Sequence, residues 1–248
     1  MKQDVLSINL LFPVLNERLR LENGIERSMA YLKENVTIPY QLTILDNGSE
    51  DETPEIGKAL AAKYPEVSYV RVGERGVGVA FRKGISINTC NLVGYMDIDL
   101  STDLKYLGKT IEMFQNDPDL QYVNGSRFSK ESDTKGRKWY RKITSMGLIF
   151  LLKTLFHMKA TDAVCGITFL SKEAVERLVR ESSQDNGWFY TIEFLLRAER
   201  DGMKIYDMPV EWQEDYNTTV KVWKTIKNYL IQMHHLKKTF RQEDKLRN

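Results

Sequence analysis

Cysteine, histidine and proline are scarce in this chain of 248 residues, at two, three and six respectively, and each shortage excludes something. Cys90 and Cys165 are too few and too far apart for a disulfide framework or a zinc site, so free thiols in a reducing compartment are expected. The three histidines have no acidic neighbours in a metal-ligand spacing. No apolar run approaches the roughly 20 residues that a membrane-spanning helix needs. The apolar stretch near the N-terminus is broken by Asn9 and Pro13, too short for a secretory signal, and reads as a first strand. Charge is nearly balanced, at +2, so bulk nucleic-acid binding is not expected and any basic function must be local. No internal repeat occurs.

What remains is an ordinary globular composition, with 42% hydrophobic and 28% charged residues. The first hundred residues alternate strand and helix signals. "VLSINLLFPV", "YQLTILD", "VSYVRV" and "NLVGYMDID" read as strands, separated by "NERLRLENGIERSMAYLKEN", "PEIGKALAAKY" and "VAFRKGISINT" as helices, with Gly24 weakening the first. This alternation predicts an α/β fold, a mostly parallel Rossmann-like sheet with right-handed crossovers. Ligands of such sheets gather at the carboxyl ends of the strands. Asp46 ends the second strand, and Asp97 and Asp99 end the fourth, so all three are expected to face one crevice. Further on, "SKESDTKGRKWYRK" reads as a charged, mobile segment and "ITSMGLIFLLKTLFHM" as an apolar helix too short to cross a bilayer. The division expected is one α/β domain over residues 1–215 and a basic, amphipathic helical segment over 216–248.

Two carboxylates one residue apart repel each other, and each is costly to desolvate alone. A hard divalent cation, Mg²⁺ or Mn²⁺, relieves both and also takes phosphate oxygens as ligands. If the segment is extended, Asp97 and Asp99 point to one side and reach one metal–diphosphate. Asp-x-Asp is common in solvated loops. Its place after a buried strand, with Asp46 near, favours the metal–phosphate reading.

"FPVLNE", "LTILDNGSEDET", "GVGVAFRKG", "YMDIDLS", "VNGSR", "DAVCGITFLS" and "FYTIEFLLRAERDGMKIYDMPVEW" follow one another in this order. Order and spacing resemble the family 2 inverting glycosyltransferases of GT-A fold, and within them the dolichyl-phosphate mannose synthase and polyprenyl-phosphate glycosyltransferase group. The resemblance covers about residues 5 to 215. It implies that Pro13, Leu15, Glu17 and Asp46 border the nucleotide of a nucleotide-sugar donor. Asp97 and Asp99 match the metal pair on the diphosphate, and Gly76 and Gly78 a loop beside it. Val77 stands where the family often has lysine, a loss that Arg75, Arg82 or Lys83 would have to make good. Arg127 matches the first arginine that holds a polyprenyl phosphate acceptor. Arg141 matches the second by spacing, with Arg137 as the alternative. The implied catalytic set is Asp99, Arg127 and Asp162.

An anionic phosphate acceptor needs no general base. A glycan hydroxyl, as in capsule or cell-wall polysaccharide synthesis, would need one, and Asp162 and Glu193 are the candidates. A non-catalytic nucleotide-sugar-binding or scaffold role is the reading that Val77 and Thr191 favour. A nucleotidyltransferase is disfavoured because "FPVLNERLR" lacks the glycines that such enzymes carry after the first strand. A lipid acceptor implies contact with a membrane surface, or with an integral membrane anchor partner. "GLIFLLKTLFHM" and the C-terminal helix, with Trp223 and a lysine-rich face, are the segments suited to it, unless the latter packs back on the domain. The expected location is cytoplasmic, peripheral to the cytoplasmic face of the membrane.

Overall fold

The computed structural model describes residues 6–136, 138–213 and 222–247. Strands β1 (Ile8–Val14), β2 (Tyr40–Asp46), β3 (Val67–Arg71) and β4 (Leu92–Met96) alternate with helices α1 (Leu21–Asn35), α2 (Thr53–Lys63) and α3 (Val77–Ser86). Next come α4 (Lys105–Asn116), β5 (Tyr122–Ser126), the short β6 (Asp133–Lys135) and α5 (Trp139–Phe156). The chain continues through β7 (Ile167–Ser171), α6 (Lys172–Glu181), α7 (Phe189–Arg200), β8 (Ile205–Pro209), β9 (Glu211–Gln213) and α8 (Val222–Arg247).

Seven strands form one sheet in the order β3-β2-β1-β4-β7-β5-β8. The parallel, Rossmann-like sheet expected from the strand–helix alternation is present. One strand departs from it: β7 runs antiparallel between β4 and β5. Along β1 the pleat sends Ile8, Leu10, Phe12 and Val14 to one face, where α1, α2 and α4 pack. Leu11 points to the other face, among the buried residues of α3, α5, α6, α7 and α8. Both faces are covered, which is why the strands read as nearly continuous apolar runs.

The segment read as charged and mobile carries β6, which pairs in parallel with β9 in a second, two-stranded sheet. Helix α5 starts four residues earlier than the apolar run suggested, at Trp139, and so takes in Arg141. Strand β9 also ties down the loop after β4: Gln213 N–H donates to the Ser101 carbonyl at 2.8 Å, and Thr102 bridges Trp212. These pairings fix the loops at the carboxyl end of the sheet, where the cavity lies. Both cysteines are free and buried. Among the described residues no helix is long and apolar enough to cross a membrane.

Candidate functional site

A cavity of about 820 Å³ opens at the carboxyl ends of β1 and β4. Its polar half is lined by Pro13, Leu15, Glu17, Arg20, Asn47, Val77, Asp97, Asp99, Ser101 and Arg127. Its other half is apolar and helical, from Leu148, Phe150 and Leu151 of α5, Leu195 of α7, and Ile226, Tyr229, Leu230 and Met233 of α8. The volume is that of a site for a drug-sized or larger ligand.

Asp97 and Asp99 both line the cavity, but a strand pleat is not what aims them. Strand β4 ends at Met96, and the chain turns at once: Leu100 N–H donates to the Asp97 carbonyl at 3.1 Å, with Leu100 left-handed at φ 51°. The turn is braced from below. Asp97 N–H donates to the Gly166 carbonyl at 3.0 Å, and the Tyr95 hydroxyl donates to Asp97 Oδ1 at 2.6 Å. Asp99 Oδ1 accepts from Ser101 N–H at 2.9 Å. Burial, and then the neighbouring Asp99 charge, push the Asp97 carboxyl up to about 6.

The two carboxylates fit a divalent cation. Their mutual repulsion is what a metal removes, and Ser101 Oγ beside them is buried without a hydrogen-bond partner among the described residues. No cluster of three or more His, Cys, Asp or Glu suited to a metal occurs among the described residues. Water and ligand phosphate oxygens would therefore complete the coordination shell, as is usual for magnesium and manganese.

Asp46 does not face the crevice. It is fully buried, with Oδ1 accepting from Ser49 N–H at 2.8 Å and Oδ2 from the Tyr69 hydroxyl, while Arg71 Nη1 lies 3.6 Å away. β3 supplies both Tyr69 and Arg71, so the carboxylate turns toward its neighbouring strand, and Asn47 reaches the cavity instead.

The glycine loop serves a different neighbour from the one expected. A β-carbon on Gly76 would lie 2.1 Å from the Asn186 carbonyl oxygen, and one on Gly78 2.2 Å from that of Asp185. The glycines thus admit the 185–186 backbone, onto which Gly78 N–H also donates at 3.0 Å, and neither lines the cavity. Val77 between them does. None of the three proposed replacements for a lysine reaches the site. Arg82 is spent on the Asp185 carbonyl (2.8 Å) and Asn186 Oδ1 (2.6 Å), and Arg75 lies 3.8 Å from Glu50. Lys83 is not part of the lining. Among the described residues the cations that line the cavity are Arg20, Arg127 and Arg141.

Arg127 and Asp162 form a buried pair. Arg127 Nε donates to Asp162 Oδ2 at 2.7 Å and Nη2 to Oδ1 at 3.1 Å, a two-pronged grip. Asp162 also accepts from the backbone N–H of Arg127 and Val164, so both its oxygens are fully engaged. Burial opposes both charges, yet each partner outweighs it: the carboxyl is held below its ordinary value and the guanidinium above. Behind them, Asn124 Nδ2 donates to the Asp162 carbonyl and to Asp207 Oδ1, locking the loop to β8. Glu193, the other candidate base, lies outside the cavity and is held by Arg197 Nε (2.8 Å) and Ser183 N–H (3.0 Å). Arg141 lines the cavity from the first turn of α5, whereas Arg137 lies outside the described residues.

Sequence reasoning missed Tyr95, Trp188 and Trp212 as lining residues, and the use of α5 and α8 as cavity walls. Tyr95 and Trp212 lie inside segments already singled out. The helices gave no signal, because an apolar stripe looks alike whether it faces a core, a cavity or lipid.

A mostly parallel sheet with helices on both faces and paired aspartates just past a central strand is the arrangement of a GT-A glycosyltransferase. The chain belongs to Glycosyl transferase family 2, whose profile matches residues 10–179. It is 28% identical over 228 residues to the dolichyl-phosphate beta-glucosyltransferase ALG5A of Trichomonas vaginalis, covering 89% of this chain and 70% of that one. It is 27% identical over 221 residues to the glycosyltransferase AglD of Haloferax volcanii, spanning 88% of this chain but only 35% of the archaeal protein. Among solved structures, glucosyl-3-phosphoglycerate synthase from Mycobacterium tuberculosis, in complex with Mn²⁺, UDP and glucosyl-3-phosphoglycerate, shares the fold. Its TM-score is 0.70 at 18% identity, over 93% of this chain and 79% of that one.

Proposed function

We propose that this chain is an inverting, metal-dependent glycosyltransferase that moves a sugar from a UDP- or GDP-sugar to a polyprenyl phosphate. The observation that carries this reading is the division of one cavity. A carboxylate turn and a buried arginine lie at one end, and a long apolar wall from α5 and α8 at the other. A diphosphate and a phosphorylated hydrocarbon chain together match that division. The dolichyl-phosphate glucosyltransferases among its relatives, and the Mn²⁺ and UDP carried by its structural neighbour, support the same assignment.

Asp97 and Asp99 would hold a Mg²⁺ or Mn²⁺ ion, which stabilises charge on the departing nucleoside diphosphate. Pro13, Leu15, Glu17 and Asn47 border the space left for the nucleotide. Arg127, with Arg141 of the same cavity lining, would balance the acceptor phosphate. Asp162 then acts as a positioning residue, presenting Arg127 rather than taking a proton. The acceptor phosphate oxygen attacks the anomeric carbon as its bond to the diphosphate breaks on the opposite face. An α-linked donor so gives a β-linked product, with no proton to remove. Both candidate bases for a hydroxyl acceptor are engaged by arginine, which favours the phosphate.

The test is release of nucleoside diphosphate from a panel of UDP- and GDP-sugars in Mn²⁺, with and without a short polyprenyl phosphate. Release that requires both metal and lipid phosphate supports the proposal. Donor binding without release would move the acceptor to a glycan hydroxyl, and no donor binding would overturn a catalytic role.

A further inference from the structure

Helix α5 leaves one face uncovered. Trp139, Ile143, Met146 and Phe150 are 74%, 59%, 52% and 68% exposed. They recur at four, three and four residues and so fall on a single side of the helix. Its opposite side is accounted for, since Ile149 and Leu152 are buried in the core and Leu148 and Leu151 turn to the cavity. Exposed large apolar side chains are ordinary singly, but four in register along one helix mark a contact surface.

Charge says what the surface meets. Lys138, Lys142 and Lys153 are exposed around the stripe, Arg141 adds a fourth cation, and α5 contains no aspartate or glutamate. At 18 residues, and with no span long and apolar enough to cross a bilayer, the helix is suited to lie on a membrane rather than through it. Trp139 and Tyr140 sit at one end, the aromatic type enriched at headgroup depth. C-terminal helix α8 makes a poorer candidate. Its Met233 and Leu236 are buried against the domain, and its last turns carry Glu243 and Asp244.

We infer that the exposed face of α5 is a docking surface for an anionic lipid bilayer, seating the cavity mouth at the headgroups. Phe150 belongs to both surfaces, being exposed on the stripe and part of the cavity lining. A lipid-linked acceptor could then enter the cavity from the bilayer without crossing water. This deepens the lipid-acceptor reading and rests on it for its purpose, although the docking itself needs neither donor nor acceptor.

The test is co-sedimentation of the whole chain with vesicles of phosphatidylcholine alone, and of phosphatidylcholine mixed with phosphatidylglycerol, without nucleotide sugar or polyprenyl phosphate. Binding to the mixed vesicles only, weakened by added salt, is expected. Ile143→Ser with Met146→Ser should cut it at least about 10-fold. Lys142→Ala should cut it roughly 5-fold. All three positions are exposed, and an unchanged circular dichroism spectrum confirms that the variants fold. Vesicle binding that ignores these substitutions would overturn the inference. So would self-association in lipid-free buffer that the apolar variant abolishes, which would assign the stripe to a second copy. Because turnover is not measured, failure here leaves the transferase test standing.

Discussion

Gly24 and Ile98 meet so closely that a β-carbon on Gly24 would lie 2.5 Å from the Ile98 carbonyl oxygen. Ile98 is the residue between the two aspartates, so helix α1 forms the backing of the proposed metal turn. A methyl group there would push first on the Ile98 carbonyl and then on the Ile98 side chain, whose Cδ1 lies 2.8 Å away. Gly24→Ala should cost about 1–3 kcal/mol in stability by overpacking. It should also weaken Mn²⁺ binding on the order of 10-fold, as loss of support behind a metal ligand does. Thermal melting and Mn²⁺ titration followed by electron paramagnetic resonance measure the two effects. Gly147→Ala in α5, with nothing within 4 Å of the added carbon, is the control and should stabilise by up to about 1 kcal/mol.

The buried pair of Arg127 and Asp162 gives a second prediction. Arg127→Ala strands a carboxylate that is fully enclosed, so a loss of about 3–5 kcal/mol is expected. Arg127→Ala with Asp162→Ala together should cost less than the sum of the single changes, because the second removes the stranded charge. Arg127→Lys keeps the charge but loses the fork. It should retain donor binding while slowing transfer to a lipid phosphate. Chemical denaturation and separate donor titrations distinguish these outcomes.

Asp97 predicts a pH dependence. Its carboxyl is raised to about 6 from an ordinary 3.8, so between those values the folded chain holds a proton that the unfolded chain has released. Its contribution without metal is therefore greatest at low pH, and stability from this group falls as pH rises toward about 6. Metal binding has the opposite slope, since the ion requires the ionised carboxylate. Mn²⁺ affinity should weaken as pH falls below about 6, and the Asp97 carboxyl of the metal-free chain, followed by carbon NMR, should titrate lower in Asp99→Asn, which removes the neighbouring charge. Calorimetric titration across that range checks both signs.

A fourth prediction concerns α8. Glu243 lies between Arg197 (3.0 Å) and Arg200 of α7, and Phe240 lies against both guanidinium groups, at 5.2 and 4.2 Å from its ring centre. Glu243→Ala leaves the largely buried Arg197 short of a partner and should cost on the order of 1–3 kcal/mol. Hydrogen exchange should show the loss concentrated in α8, with faster exchange extending to the turns around Ile226 and Tyr229 that line the cavity.

The sheet was legible because buried strands and amphipathic helices have periods that survive in the sequence. The edges of α2 followed from them closely, whereas α1 begins only at Leu21, within the segment read as helix, and α3 ends at Ser86, before that segment does. The antiparallel β7 was not, since a central strand reads equally apolar in either direction. Asp97 and Asp99 were legible from their place after β4, although the turn that aims them depends on a left-handed Leu100 that no local signal announces. Asp46 was misplaced because its partners, Tyr69 and Arg71, come from another strand and compete for it. The glycine loop was misassigned for a related reason. Glycine spacing reports that something passes close, and here that is the backbone of residues 185 and 186 rather than a phosphate.

The late position of α8 has a consequence for how the chain is made. Residues 8 to 209 contain the whole seven-stranded sheet, and the carboxylate turn is complete once β9 has paired. One wall of the cavity, from Thr225 to Met233, and the acidic latch at Glu243 are translated after the sheet. A nascent chain would thus acquire its carboxylate turn first and stand open along one side until α8 has been made and has packed. A chain released before Thr225 should keep the carboxylate turn while leaving the apolar end of the cavity unwalled on that side.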